Sequence, residues 1–195
     1  MIDCDDLASA ATALHPALAR RFSPVAFDPH AEVTDAQIDT LLDAARLAPS
    51  AGNSQPWAFV VARRGDAVHR RTVRHLAGSS AAWAAGASLL VANLAHVYVE
   101  DTTEWEYSEF SRYDLGQAVA HMTIQGLALG LAAHQFRAFD RAAMAREFDV
   151  PPHWEVTSMS AFGIAAHTTD ASADPASRPR RSRTEVTWAR ADSPG

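Results

Sequence analysis

Apolar positions recur at helical spacing twice near the start of the chain. Over residues 6–20, Leu7, Ala11, Leu14 and Leu18 fall on one face, and Pro16 predicts a kink or an early end. Thr34-Asp35-Ala36-Gln37 has the form of a capping box, and Ile38, Leu41, Leu42, Ala45 and Leu47 after it make an inward face. Residues 58–63 are short, β-branched and aromatic, hence a strand. Residues 67–76 read as a helix with Arg70, Arg71 and Arg74 on a solvated side. Residues 88–99 are a second strand, buried because strict alternation is missing. Residues 113–133 form a helix apolar on most faces and therefore central. The glycine step from Gly126 to Gly130 allows close approach to another element, either a second copy of the helix or an ordinary packing neighbour. Asp140 caps a helix running to Phe148, ended by Pro151-Pro152. Residues 155–164 are a third strand, 166–177 a small, polar linker, and 185–188 a last strand.

Between the second helix and the first strand lies an unusual loop. A helix rich in Ala, Leu and Arg is stopped by Pro49, and Ser50, Ala51, Gly52, Asn53, Ser54 and Gln55 follow before Pro56-Trp57. Small residues leave backbone N–H and C=O groups reachable, and the amides of Asn53 and Gln55 donate and accept in one plane, which suits a flat heterocycle. The plainer reading is a connector with turn chemistry and a packed tryptophan. Residues 100–111 are acidic and aromatic (Trp105, Tyr107, Phe110), either a solvated loop or a cover over a pocket.

Composition removes several classes. With 195 residues and 48% hydrophobic content the chain suits one domain with an ample core, residues 1–195, or a compact subunit of an oligomer. The longest apolar stretches are broken by Gly, His or Gln, so no membrane span is expected, and an acidic N-terminus argues for a cytoplasmic protein. One cysteine precludes a disulfide scaffold within the chain, the histidines form no metal pattern, and a formal charge of −6 argues against nucleic acid. Every basic side chain is arginine, which favours two-point phosphate contacts and excludes Schiff-base chemistry. There is no Gly-x-Ser-x-Gly elbow and no Gly-x-Gly-x-x-Gly fingerprint.

The segment APSAGNSQPW resembles the signature loop of the FMN-dependent nitroreductase family. Arg20-Arg21-Phe22-Ser23-Pro24-Val25-Ala26-Phe27-Asp28 is similar to that family's phosphate and ribityl site, 113–122 to its long central helix, and Arg178-Pro179-Arg180-Arg181 to its closing basic pair. The resemblance implies an α+β fold with a central, mostly antiparallel sheet flanked by helices, a homodimer, and a tail strand (within 166–195) exchanged with the partner. It implies FMN held by Arg20, Arg21, Phe22 and Ser23, with Arg178 and Arg180 closing on the phosphate. Pro49, Ser50, Ala51, Asn53 and Gln55 would lie along the ring, typically given by the partner subunit, and Arg137-Ala138 would face flavin N5. The implied activity is hydride transfer from NADPH or NADH, a transient visitor, through FMN to a small-molecule acceptor such as a nitroaromatic or quinone, with no essential acid or base nominated. Three sites depart from the family. Val25 stands where a cation near the N1–C2=O edge is usual, unless Arg112 or Arg137 replaces it. Ser79 and Ala82 stand where some members carry Asn and Lys. Arg137-Ala138 replaces Gly-Gly or Glu-Gly, and Arg137 either narrows the pocket or binds an acidic substrate. These departures keep two alternatives open: a non-catalytic flavin-binding or sequestering protein, and a metabolite dehydrogenase or oxidase using FMN and O2.

Overall fold

The computed structural model of the chain describes residues 14–100, 102–166 and 179–190. Four strands, β1 (Trp57–Arg63), β2 (Leu89–His96), β3 (Ala132–Phe136) and β4 (Trp154–Gly163), form one antiparallel sheet in the order β1-β2-β4-β3. Strand β2 is almost wholly buried and β4 is buried from Met159 onward, which is why β2 is a nearly continuous apolar run without alternation. Their register shifts between Asn93 and Leu94, so Thr157 of β4 has no partner residue on β2.

Helix α1 (Pro16–Arg20) opens with its proline at the first helical turn, where a missing N–H costs nothing, and His15 Nδ1 accepts from Ala17 N at 3.2 Å. Pro16 thus starts a helix in the described residues and does not kink one; the expected part before residue 14 lies outside them. Helix α2 (Asp35–Arg46) has both halves of the capping box, and Ile38, Leu41 and Ala45 are buried as the spacing requires. Leu47 is not: it is the C-cap and is 74% exposed. Next come α3 (Ala67–Thr72), continued by a 3-10 turn, then α4 (Gly78–Ala84), α5 (Ser111–Ala128) and α6 (Arg141–Glu147). On one side of the sheet, α2 and α5 enclose a core containing Leu41, Leu89, Val91, Ala118, Met122 and Phe162. The other side holds Phe27, Leu90, Leu94, Phe139, Met144 and Met159. A side chain of this kind contributes about 1.5–3 kcal/mol when fully buried.

Arg71 lies on α3 but is not simply solvated: it pairs with Glu147 and covers the Phe148 ring. The expected helix over 113–133 ends early. Leu129 is its C-cap, Gly130 adopts φ 79°, and the bonds Leu131 N to Gly126 O and Gly130 N to Leu127 O complete a Schellman stop. The chain then enters β3, whose first two residues sequence reading took as helix. Gly126 serves close packing inside the subunit, since a Cβ there would stand 3.1 Å from the Phe162 ring. The last expected strand, 185–188, is a helical turn in which Val186 N bonds Ser182 O and Thr187 N bonds Thr184 O. A strand needs a ladder partner, and these exposed residues have none among the described residues.

Candidate functional site

The loop after α2 is shaped by backbone conformations that few residues tolerate. Gly52, Asn53 and Gln55 have φ of 59°, 56° and 48°; glycine takes this region freely and asparagine more readily than most. Gln55 N donates to Ser50 Oγ at 3.0 Å and Gln55 Nε2 to Asn53 O at 3.2 Å, closing the loop on itself. Ala51 N donates to Asp114 Oδ2 at 3.0 Å across 63 residues, and Asp114 also accepts from Gln117 Nε2 at 3.3 Å. Asp114 is buried in the first turn of α5, where the helix dipole favours its charge. Pro49, Ala51, Asn53 and Gln55 therefore project outward from a pinned loop, while the Ser54 Oγ is buried with no partner.

The connector after β2 docks on this loop. Tyr107 stacks on His96 at 3.9 Å and its hydroxyl reaches Ser54 O at 3.4 Å, while Trp154 stacks on the other neighbourhood of His96 at 4.8 Å. Burial, and then the adjacent His153, hold the His96 pKa below the ordinary histidine value.

A second group forms at the opposite edge of the sheet. Arg21 Nη1 donates to Ser23 Oγ at 3.2 Å, with Phe22 half-buried between them, and Arg20 Nε donates to Pro16 O. His134 of β3 stacks on Trp83 of α4 at 4.3 Å, and its Nδ1, 2.8 Å from Pro24 O, donates to that carbonyl. Ala138 O accepts from Ala77 N at 3.0 Å and from Ser80 Oγ. Three segments, 20–25, 77–83 and 134–138, are tied together here. The two groups flank a sheet three inter-strand steps wide, roughly 14 Å at about 4.8 Å per step. Arg180 lies in the exposed tail, and Arg178 lies outside the described residues.

Val25 is 55% exposed, and no cation replaces it from α5: Arg112 is bound to Glu155 through Nε and Nη2. Sequence reading missed the roles of Asp114, Trp83 and Ser80. Asp114 carried a faint signal as an acid in a helix's first turn; nothing in the chain marks its bond to residue 51.

A sequence model of the nitroreductase family matches residues 18–80, which include both the Arg21 segment and the loop. Among solved structures, an oxidoreductase containing FMN is 29% identical, with a TM-score of 0.73 over 80% of this chain and 78% of its own. A protein from Desulfovibrio desulfuricans, named as a nitroreductase and solved in complex with FMN, is 21% identical with a TM-score of 0.74, covering 93% of this chain and 100% of its own. This is the nitroreductase fold. A nitroreductase-like protein from Streptococcus mutans shares it at 20% identity and a TM-score of 0.71, covering 98% and 100%. A relative from Archaeoglobus fulgidus, named as an NADH dehydrogenase/NAD(P)H nitroreductase, is 56% identical over 32 residues, and the match spans 18% of its length. Among the described residues, no helix is long and apolar enough to cross a membrane, and no group of side chains could hold a metal ion.

Proposed function

We propose that the chain is an FMN-dependent NAD(P)H oxidoreductase working as a homodimer with two composite sites. The observation that carries this reading is the division of the site residues between opposite edges of the sheet. One edge offers cations and hydroxyls suited to a phosphate, the other a pinned loop with outward amides suited to a ring, and two copies are needed to bring unlike edges together. The outer face of α5, with Tyr113, Gly116, Ala120 and Ala128 exposed, together with the exposed Leu14 before α1 and Leu18 within it, gives the second copy a place to pack. In this assembly the tail within 166–195 reaches the partner and pairs there as an added strand.

The residues present fit the cofactor. Arg21 and Ser23 are already linked and present a guanidinium and a hydroxyl to a phosphate, with Arg20 beside them and Arg178 and Arg180 closing from the tail. The loop 49–55 supplies donors and acceptors in the plane of a flavin, and the clamped Ala138 segment supplies a fixed backbone. Bound there, FMN would supply two-electron chemistry between NADH or NADPH and a nitroaromatic, quinone or related acceptor. The chain's residues position, exclude water and set charge.

The test is direct. The purified protein should be yellow, with near one FMN per chain, and should sediment as a dimer at micromolar concentration. NADH or NADPH under argon should bleach it. Replacing Arg21 and Arg180 together by Ala should strip the flavin, since charge-assisted contacts of about 1.5–3 kcal/mol each are lost. A colourless monomer refutes the proposal, and a yellow protein that neither nucleotide bleaches is a flavin-binding protein without this activity.

A further inference from the structure

The end of β3 carries more positive charge than its surroundings neutralise. Arg137 is exposed, its Nε donates to Thr157 O at 3.2 Å, and it makes no ion pair among the described residues. The carbonyl is available because Thr157 sits at the register shift, outside the β2 ladder. Two residues along β4, roughly 7 Å away, Glu155 accepts from Arg112 at 3.0 and 2.6 Å and from Arg141 at 3.1 Å. One carboxylate thus meets two guanidiniums while a third stands by unpaired. Asp140 accepts from Ala143 N and Asp114 from Ala51 N, and neither pairs with Arg137 among the described residues. Glu147 is shared in a similar way, accepting from Arg71 and facing His75, while Arg46–Asp43 and Arg63–Asp35 are single pairs.

We propose that Arg137, backed by Arg112 and Arg141, forms an anion subsite, and that the molecule reduced here is a conjugated acceptor bearing a carboxylate. Tethering Nε fixes the guanidinium plane and leaves Nη1 and Nη2 as a fork for the two oxygens of a carboxylate, which lysine does not offer. The redox part rests on the flavin reading above; the carboxylate-binding part does not.

Two measurements separate them. In NMR titrations of the purified protein, whatever its flavin content, benzoate should bind and neutral benzamide should bind at least about tenfold more weakly, the equivalent of about 1.4 kcal/mol. Arg137→Gln should erase the difference, Arg137→Lys should keep part of it, and added salt should diminish it. With NADH as donor, the kcat/KM ratio of 4-nitrobenzoate to 4-nitrobenzamide should fall about tenfold or more in Arg137→Gln. Each turnover converts NADH, H+ and the nitro group to NAD+, nitroso and water. A ratio that holds while KM for NADPH alone rises would move the anion to the nucleotide phosphate and overturn the acceptor assignment. Equal binding of benzoate and benzamide, or a preference surviving in Arg137→Gln, overturns the subsite. Should that variant fail to fold, Arg112→Gln, which also enlarges the unpaired acidity of Glu155, must lower the benzoate preference or the subsite is wrong. Absence of flavin would refute the function proposed above and leave the benzoate result decisive for Arg137.

Discussion

Asp114→Ala is the sharpest perturbation of the loop that follows α2. The carboxylate is 2% exposed, receives Ala51 N–H at 3.0 Å and Gln117 at 3.3 Å, and sits in the first turn of α5. Hydrogen bonds to a charged group contribute about 1.5–3 kcal/mol, and an acid at a helix N-terminus about 0.3–1 kcal/mol. Ala51 is exposed, so water takes over part of its N–H, and a net loss of about 2–3 kcal/mol is expected. For a chain of this size that lowers Tm by about 4–12 °C. Asp114→Asn keeps an acceptor without the charge and should lose about half as much. Thermal unfolding gives the magnitude, and hydrogen exchange at the amides of residues 51–55 gives the location. These amides should exchange faster in Asp114→Ala while those of β2 stay protected against local opening. A Tm change under about 2 °C with unaltered exchange at Ala51 would show that the loop holds its shape without this contact.

Gly126→Leu should destabilise by about 1–3 kcal/mol, because any Cβ stands 3.1 Å from Phe162 and 3.5 Å from Leu41; urea unfolding decides. Burial holds the His69 pKa below 6.5, so the unfolded chain binds a proton that the folded chain refuses, and stability should be full above that value and fall as pH drops below it. The same sign holds for His96, and His69→Gln with His96→Gln should flatten the profile between neutral pH and the depressed folded values. Ala120→Glu on the outer face of α5 should dissociate the proposed dimer, read by sedimentation. With flavin bound, Val25→Arg should raise its two-electron potential through Coulomb attraction, and an unchanged or lowered value in potentiometric titration refutes the expectation.

Local signals explain which elements were legible. Thr34 and Gln37 announce α2 because the capping box is a contact between neighbours in sequence, and Asp140 announces α6 in the same way. The strands β1, β2 and β4 were legible within a residue or a few because their apolar runs are bounded by turn residues. β3 was hidden because the apolar run after Leu127 reads equally as buried helix or buried strand. Gly130 was the stop signal, and it was taken for a packing residue. α4 was unreadable: Gly78-Ser79-Ser80 begins it without a side-chain cap, and its alanines give no face. At the site, the loop and Arg21 were legible as sequence patterns. The ties that hold them, Asp114 to Ala51 and His134 to Pro24, join residues 63 and 110 apart, which no local pattern encodes.

The strand order β1-β2-β4-β3 contains no hairpin of adjacent short strands. β1 and β2 are separated by α3 and α4, and the central pair joins Leu89–His96 to Trp154–Gly163 around all of α5, β3 and α6. Folding therefore cannot zip up locally: the loop-closure entropy of the central pair must be met before its contacts repay it, which makes the chain a slow folder for its length. During synthesis the apolar edge of β2 waits uncovered until β4 emerges, the condition in which unpaired strand edges are open to aggregation.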